Sequence, residues 1–129
     1  MRLLSIGEAM VELSQAAGGL WRLGFAGDTL NTAWYARACL PDLWQVEYFT
    51  RLGGDPFSGR MLDFLGENGI GTGGILRDAE RRVGLYAIEL HDGERSFAYW
   101  RGQSAARHLA DDTAALGAAI AGADAVYFS

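Results

Sequence analysis

The chain of 129 residues is long enough for one domain or part of one, and its 50% hydrophobic content is sufficient for a packed core. A formal net charge of −5 argues against nucleic-acid binding, which requires a basic face, and the single cysteine excludes an internal disulfide. No apolar run approaches the ~18 residues of a membrane span. The 18 glycines, combined with strong apolar runs, are typical of an α/β protein with many tight turns.

An apolar run over residues 3–6 predicts a buried first strand that ends at Gly7. Ligands of parallel α/β sheets bind at the carboxyl ends of the strands, so Glu8 is a candidate binding residue. A solvated loop carboxylate explains Glu8 equally well. Alternating polarity over residues 11–14 and a short run at 20–23 predict two further strands, which form a ribbon at an edge.

A glycine-containing loop that leads into a helix follows the ribbon. Gly24 and Gly27 predict an irregular backbone that a ligand can approach closely. Asp28 or Thr29 is a suitable N-cap for the helix. Asp28 and Asn31 lie close to one side of its first turn, where a carboxylate and an amide can bind a polyhydroxylated ligand. A capped turn without any ligand explains the same pattern.

The helix has an apolar face predicted from its spacing, namely Leu30, Ala33, Trp34 and Ala38. It stops at Pro41, and we expect Cys39 near its end to be buried. Residues 46–52 have the composition of one strand. Asp55 and Pro56 then predict the start of a second helix, as N-cap and first-turn residue.

Two strands flank the Asp92-Gly93 dipeptide, which favours a two-residue hairpin turn. This turn sets a register in which Tyr86 faces Tyr99, and both share a face with Arg101. An arginine fork can hold a carboxylate through two parallel hydrogen bonds, and the tyrosines add hydroxyls and ring surface. Ordinary cross-strand aromatic pairs beside a solvated arginine explain the same pattern.

The last part of the chain predicts an alanine-rich helix capped at Asp112 and a buried strand over residues 125–128. The two histidines, His91 and His108, have no second ligand at metal spacing. We therefore expect surface roles for both histidines and no metal site.

The sequence Gly-Asp-Thr-Leu-Asn-Thr-Ala at residues 27–33 resembles the substrate signature of the ribokinase-like (PfkB) carbohydrate kinases, most of all the 2-keto-3-deoxygluconate kinases. Ala26 stands where this family usually has the first glycine of a pair. The run over residues 51–59, Gly-Leu-Tyr at 84–86 and Tyr-Trp-Arg at 99–101 also resemble that family. The resemblance covers nearly the whole chain.

This resemblance implies an α/β fold, a ribokinase-like three-layer sandwich with a small β-sheet lid built from about residues 11–24 and 83–101. It implies ATP-dependent phosphorylation of 2-keto-3-deoxygluconate or a related sugar acid, with ATP and Mg²⁺ as cofactors. The loop residues then hold the sugar hydroxyls, and the two tyrosines and the arginine grip the carboxylate. The substrate-binding residues so expected are Glu8, Gly27, Asp28, Asn31, Tyr86, Tyr99 and Arg101.

The family's phosphate loop, a C-terminal Gly-Ala-Gly-Asp sequence whose Asp is the catalytic base, does not occur in residues 1–129, and neither does a Walker A sequence. We therefore expect these residues to be the N-terminal part of one ribokinase-like domain, with the catalytic base and the ATP site beyond Ser129. A last strand without a covering helix leaves apolar surface open. We expect the isolated chain to be inactive and marginally stable.

Three alternatives stay open. In the first, the chain is a non-catalytic module that binds a sugar acid. In the second, it belongs to a fructokinase- or ribokinase-type kinase of a neutral sugar. An arginine that binds a carboxylate argues against this second alternative. A Rossmann-type nucleotide domain is disfavoured because the glycine loop lacks Gly-x-Gly-x-x-Gly. The expected ligand is a small sugar acid, and we expect binding to neither nucleic acid nor a membrane. We also expect a cytoplasmic location and a homo-oligomer formed through the lid.

Overall fold

The computed structural model describes residues 1–129, which form ten strands and three α-helices. The strands are β1 Arg2–Ile6, β2 Met10–Gln15, β3 Trp21–Ala26, β4 Gln45–Phe49, β5 Arg51–Gly53, β6 Ile70–Gly71, β7 Leu76–Asp78, β8 Gly84–His91, β9 Glu94–Trp100 and β10 Ala125–Phe128. The helices are α1 Asp28–Cys39, α2 Pro56–Glu67 and α3 Thr113–Ala121, with short 3₁₀ turns at Ala17–Gly19 and Ala105–His108.

A parallel sheet in the order β10-β1-β4-β6 forms the centre of the molecule. One face packs against α1 and α2 through a buried cluster that includes Leu30, Tyr48, Met61 and Leu65. The other face carries Leu4, Ile6 and Phe49, which pack against Leu116 and Ala119 of α3. Helices therefore cover both faces of the sheet, as parallel sheets require, and the expected α/β layered fold is confirmed.

A second sheet in the order β3-β2-β8-β9 joins the early ribbon to the hairpin. Its two outer pairs are antiparallel, and β2 runs parallel to β8 between them. Strand β9 is exposed along its whole length. The segments expected to form a lid thus lie in one small sheet beside the central one, while β5 and β7 form a separate two-stranded pair.

The loop before α1 is more regular than the glycines predict. Strand β3 continues to Ala26, so Gly24 lies inside a strand opposite Glu12, and only Gly27 has a positive φ. Gly27 is also the helix N-cap, without a side-chain hydrogen bond, where Asp28 or Thr29 was the prediction. The predicted irregular first half and N-cap are therefore wrong, because β2 pairs with the chain as far as Ala26.

Three further expectations for this part of the chain are wrong. Trp34 is 38% exposed, and Ala38 and Cys39 are exposed, because α1 buries only the stripe around Leu30 and Ala33. Cys39 lies nine residues after Leu30, which places it on the opposite side of a helix with 3.6 residues per turn. The predicted single strand over 46–52 divides at residue 50, where the chain passes from the central sheet to the β5–β7 pair.

The start of α2 follows its prediction and explains a link to the second sheet. Asp55 caps the helix by accepting from the Ser58 N–H at 3.0 Å and from the Ser58 hydroxyl at 2.7 Å, and it accepts from the Val83 N–H at 3.3 Å. Burial opposes ionisation, but these hydrogen bonds outweigh it and hold the pKa of Asp55 below its ordinary value. The helix start is thereby tied to the residue that precedes β8.

Asp55→Asn is expected to lower the free energy of unfolding by about 1 kcal/mol at pH 7, because both carboxylate oxygens accept hydrogen bonds and the amide replaces one of them with a donor and removes the charge at the helix start. Because the pKa of Asp55 is lower in the folded than in the unfolded state, its ionised form stabilises the fold at any pH above the unfolded pKa of about 3.9. This stabilisation is lost as the pH falls through the pKa of the folded state. Urea titrations at pH 7 and at stepwise lower pH should show the wild type losing more stability than the variant. Asp63→Asn, on the exposed face of the same helix, is the control, and equal pH profiles for all three proteins contradict the assignment.

No helix of the structure combines the length and the apolar character that a bilayer crossing requires.

Candidate functional site

One cleft of about 380 Å³ lies where the end of β1, the start of α1 and the inner face of the second sheet meet. All seven residues expected to bind a sugar line it, namely Glu8, Gly27, Asp28, Asn31, Tyr86, Tyr99 and Arg101. Met10, Thr29, Phe97 and Ser129 complete its lining. The volume falls in the range of small-molecule pockets, which run from roughly 300 to 1,000 Å³.

A buried hydrogen-bond network fixes the start of α1 beside β1. The Tyr48 hydroxyl donates to the Gly7 carbonyl at 3.1 Å, so the Thr29 hydroxyl is the donor in its 2.7 Å bond to Tyr48. Ser5 donates to the Thr29 carbonyl at 2.8 Å. Burial raises the pKa of Tyr48, which keeps its proton available for this network. The network holds the helix start rigidly at one wall of the cleft.

The backbone of Gly27 closes that wall. Its φ of 143° lies in the region that favours glycine, and a Cβ added there would lie 2.6 Å from the Glu8 carbonyl oxygen. The Gly27 carbonyl accepts from the Asn31 N–H at 2.8 Å, and no side chain caps the first turn of α1. The first-turn N–H groups thus carry no side-chain partner, an arrangement that suits polar ligand oxygens.

Asp28 is exposed at the start of the helix, where a carboxylate is favoured by the helix dipole. The Tyr127 hydroxyl lies 3.1 and 3.2 Å from its two carboxylate oxygens. Tyr127 was absent from the sequence-based expectations, although β10 runs parallel to β1 and therefore ends at the same edge of the sheet. The sequence does not show that β10 is the neighbour of β1, so it carries no signal for this contact.

The hairpin has the predicted register. Asp92 and Gly93 both have positive φ, as a two-residue turn of this kind requires, and Tyr86 faces Tyr99. The two rings stack with centroids 5.8 Å apart, and the Phe97 ring lies 6.4 Å from Tyr86 and 6.3 Å from Tyr99. This aromatic face forms the wall of the cleft opposite α1.

Arg101 and Glu8 meet across the floor of the cleft. Arg101 Nη2 lies 2.5 Å from Glu8 Oε2, and the Ser104 hydroxyl donates to Glu8 Oε1 at 2.6 Å. The Glu8 side chain is only 10% exposed, whereas that of Arg101 is 47% exposed. Gly84 leaves room for this contact, because a Cβ there would lie 2.6 Å from Glu8 Oε1. Both Glu8 oxygens are thus engaged by protein groups, while about half of the Arg101 side chain remains exposed.

Tyr86 has a partner that sequence reasoning missed. Its hydroxyl donates to Glu12 Oε2, and Glu12 lies beside it in the parallel register of β2 and β8. Burial first, and then the hydrogen bond and charge of Glu12, raise the pKa of Tyr86 well above its ordinary value. The period-two pattern of β2 places Glu12 on one face, but the sequence does not show that β8 is its neighbour.

The cleft therefore combines the half-exposed side chain of Arg101, two tyrosine hydroxyls, two carboxylates and one amide around a helix start. Such a set donates to and accepts from hydroxyl groups and can pair a carboxylate with the guanidinium. Ser104, like Glu12 and Tyr127, was not anticipated, since its role depends on a contact 96 residues away in the chain. No group of three His, Cys, Asp or Glu side chains is arranged to hold a metal ion, and His108 pairs with Asp111 at 2.8 Å.

Comparison with known sequences gives a family for this arrangement. The model of the pfkB family of carbohydrate kinases matches residues 2–129. The 2-dehydro-3-deoxygluconokinase of Dickeya dadantii is 44% identical over 128 residues, which cover 96% of this chain and 41% of that protein. The corresponding protein of Haemophilus influenzae is 40% identical over 129 residues, with the same coverage of both chains. The chain thus spans about two fifths of the length of the curated relatives it matches.

Comparison with solved structures supports the same grouping. The 2-dehydro-3-deoxygluconokinase of Thermotoga maritima superposes with a TM-score of 0.79 at 22% identity, over 99% of this chain and 40% of that one, a likeness of fold. A fructokinase from Xylella fastidiosa with bound ATP has a TM-score of 0.70 at 28% identity, over 87% of this chain and 35% of that one. The family match over nearly every residue, together with this fold, shows that the chain belongs to the pfkB family of carbohydrate kinases.

Proposed function

We propose that this chain supplies the sugar-binding part of a kinase that phosphorylates 2-keto-3-deoxygluconate, the sugar acid also called 2-dehydro-3-deoxygluconate, or a near relative. The observation that carries the proposal is the half-exposed side chain of Arg101, which lines the same cleft as Gly27 before α1. A guanidinium is the side chain best suited to a carboxylate. The names of the relatives at 40–44% identity support the same substrate class.

In this proposal the two walls of the cleft bind different parts of the sugar acid. The Gly27 backbone, Asp28 and Asn31 bind hydroxyl groups, because they offer both acceptors and donors at the helix start. Arg101 binds the carboxylate through the N–H groups that Glu8 leaves free. The second sheet acts as a lid, and its two tyrosines lie over the sugar.

ATP and Mg²⁺ complete the proposed reaction, in which ATP provides the phosphoryl group. The side chains of this chain do not form a direct ligand set for Mg²⁺, and residues 1–129 contain neither a Gly-Ala-Gly-Asp nor a Walker A phosphate loop. No group of three His, Cys, Asp or Glu side chains comes together to hold a metal ion, and both Glu8 oxygens already contact Arg101 and Ser104. No step of the proposal is therefore assigned to ATP or Mg²⁺ at residues 1–129, and we propose that these residues form the N-terminal part of one kinase domain.

Calorimetric titration of the purified chain tests this function, after circular dichroism has verified that it is folded. We expect 2-keto-3-deoxygluconate to bind at least about tenfold more tightly than fructose or ribose, which corresponds to about 1.4 kcal/mol. Equal affinities favour a kinase of a neutral sugar. Tight binding that is unchanged by ATP in the longest protein carrying this sequence favours a non-catalytic module, and absence of sugar binding contradicts the proposal.

We also propose that the outer face of the lid sheet joins two copies of the chain. This face forms an apolar groove of about 570 Å³, lined mostly by Leu13, Trp21, Leu85, Ala87, Ala98 and Trp100. The tryptophans are 42% and 61% exposed, and contiguous exposed apolar surface of this kind marks an interaction site. A two-fold pair buries the same patch on both copies.

Trp100→Glu is expected to convert the proposed dimer to a monomer, because it places a charge in the apolar groove. Size-exclusion chromatography with light scattering should give twice the chain mass for the wild type and the single-chain mass for the variant. Tyr35→Glu, which changes an equally exposed aromatic residue of α1, should keep the dimer. A wild type of single-chain mass contradicts the interface.

A further inference from the structure

The hydroxyl of Tyr86 is already committed to a protein partner on its own face of the lid sheet. Tyr86 and Glu12 are register partners on the parallel strands β8 and β2, and the Tyr86 hydroxyl bonds to Glu12 Oε2. An ionised carboxylate has acceptor sites only, so the tyrosine provides the proton of this bond. The Tyr86 oxygen can then only accept further hydrogen bonds, through its lone pairs.

The second tyrosine of the cleft is in a different state. Tyr99 stacks on Tyr86 but is 55% exposed, and its hydroxyl makes no hydrogen bond within the chain. It can therefore donate or accept towards a ligand. The two stacked residues are both tyrosines, but their hydroxyls offer different hydrogen-bonding groups to a ligand in the cleft.

The position of Glu12 maintains this difference between the Tyr86 and Tyr99 hydroxyls. Glu12 lies opposite Gly24 of β3, and nothing approaches within 4 Å of the place where a Gly24 side chain would begin. The Glu12 carboxylate turns away from that space, towards Tyr86 on the other side of β2. Glu12 also lines a cavity of about 340 Å³ that shares Asn31 with the cleft, so its negative charge lies directly behind the binding surface.

We propose that Glu12 is a specificity-determining positioning residue, which holds the Tyr86 hydroxyl proton so that Tyr86 presents only an acceptor to the ligand. The group bound at Tyr86 must then be a donor, which means a sugar hydroxyl and not the carboxylate. The charge of Glu12 also repels a carboxylate from this side of the cleft. The carboxylate is left to Arg101 and Tyr99, so Glu12 fixes which end of the sugar acid lies where. This inference rests on the proposed function for its ligand.

The hydrogen bond itself can be tested without ligand. Tyrosines labelled with ¹³C at Cζ are titrated with base by NMR in the 129-residue chain, and Tyr86 is assigned by loss of its signal in Tyr86→Phe. In Glu12→Ala we expect Tyr86 to titrate at least about one pH unit lower than in the wild type, because the charge that opposes ionisation is gone. Glu89→Ala, which removes a carboxylate from the outer face of the same sheet, should leave Tyr86 unchanged.

Binding of 2-keto-3-deoxygluconate then tests the specificity role through a double-mutant cycle. Glu12→Ala and Tyr86→Phe are each expected to weaken binding by about tenfold. The double variant should bind no more weakly than the single variant with the lower affinity, because both substitutions act through one hydroxyl. Glu12→Gln keeps an acceptor for the tyrosine proton and should recover at least half of the lost free energy.

The outcomes separate this inference from the function on which it rests. A Tyr86 titration that Glu12→Ala does not move overturns the inference even where the sugar acid binds. Multiplied losses, about a hundredfold in the double variant, also overturn it, because Glu12 would then act independently of Tyr86. A wild type that binds no sugar acid overturns the proposed function and the specificity role together, whatever the titration shows.

Discussion

Replacing Arg101 with alanine is expected to weaken binding of 2-keto-3-deoxygluconate by about 10- to 150-fold and binding of fructose by less than about threefold. Hydrogen bonds to a charged group contribute about 1.5–3 kcal/mol, and a neutral sugar does not form the charged pair. The Arg101 side chain is only half exposed and is already held by Glu8, so little ordering is required when a carboxylate arrives. Calorimetric titration of both sugars against both proteins measures the difference.

Two matched variants keep this result interpretable. Arg95→Ala removes an exposed arginine near the start of β9, at the opposite end of that strand from Arg101, and should change neither affinity. Arg101→Lys keeps the charge but loses the planar fork, and an intermediate loss is expected. Because Arg101→Ala also leaves the Glu8 carboxylate without its ion partner, its unfolding is measured in parallel. Equal losses for acid and neutral sugar would remove the carboxylate assignment.

The hairpin could be predicted from the sequence because its geometry is set locally. Two residues, Asp92 and Gly93, determine the turn, and the turn determines which side chains face each other for the whole length of both strands. The stacking of Tyr86 on Tyr99 follows from that register alone. The same locality explains why the Asp55 cap of α2 was predicted, since it depends on residues within one turn.

The partners of these residues could not be predicted in this way. The contacts of Tyr86 with Glu12, of Ser104 with Glu8 and of Tyr127 with Asp28 join residues 74, 96 and 99 positions apart. They depend on which strands become neighbours, and hydrophobic period does not determine strand order. The prediction for the start of α1 was wrong, and the reason is related. The continuation of β3 to Ala26 is imposed by pairing with β2, which overrides the irregular backbone that glycines favour locally.

Gly24 of β3 and Gly27 before α1 are expected to differ sharply when each is replaced by alanine. Gly27→Ala should lower the free energy of unfolding by about 3 kcal/mol or more and abolish measurable sugar binding. Its φ of 143° is a region that non-glycine residues occupy only with strain, about 1–3 kcal/mol, and the new Cβ would lie 2.6 Å from the Glu8 carbonyl oxygen. Relief requires the backbone at Glu8 or at the start of α1 to move, and both form the cleft.

Gly24→Ala is the matched control, three residues earlier in the chain. Gly24 lies within β3 and has open space where its side chain would begin, so the variant should be neutral or more stable by up to about 1 kcal/mol. Urea unfolding followed by circular dichroism measures stability, and calorimetry measures binding. If both variants lose the same stability, the special conformation of Gly27 is not what holds the loop. If Gly27→Ala is destabilised yet binds the sugar acid normally, the Gly27 wall does not form part of the binding site.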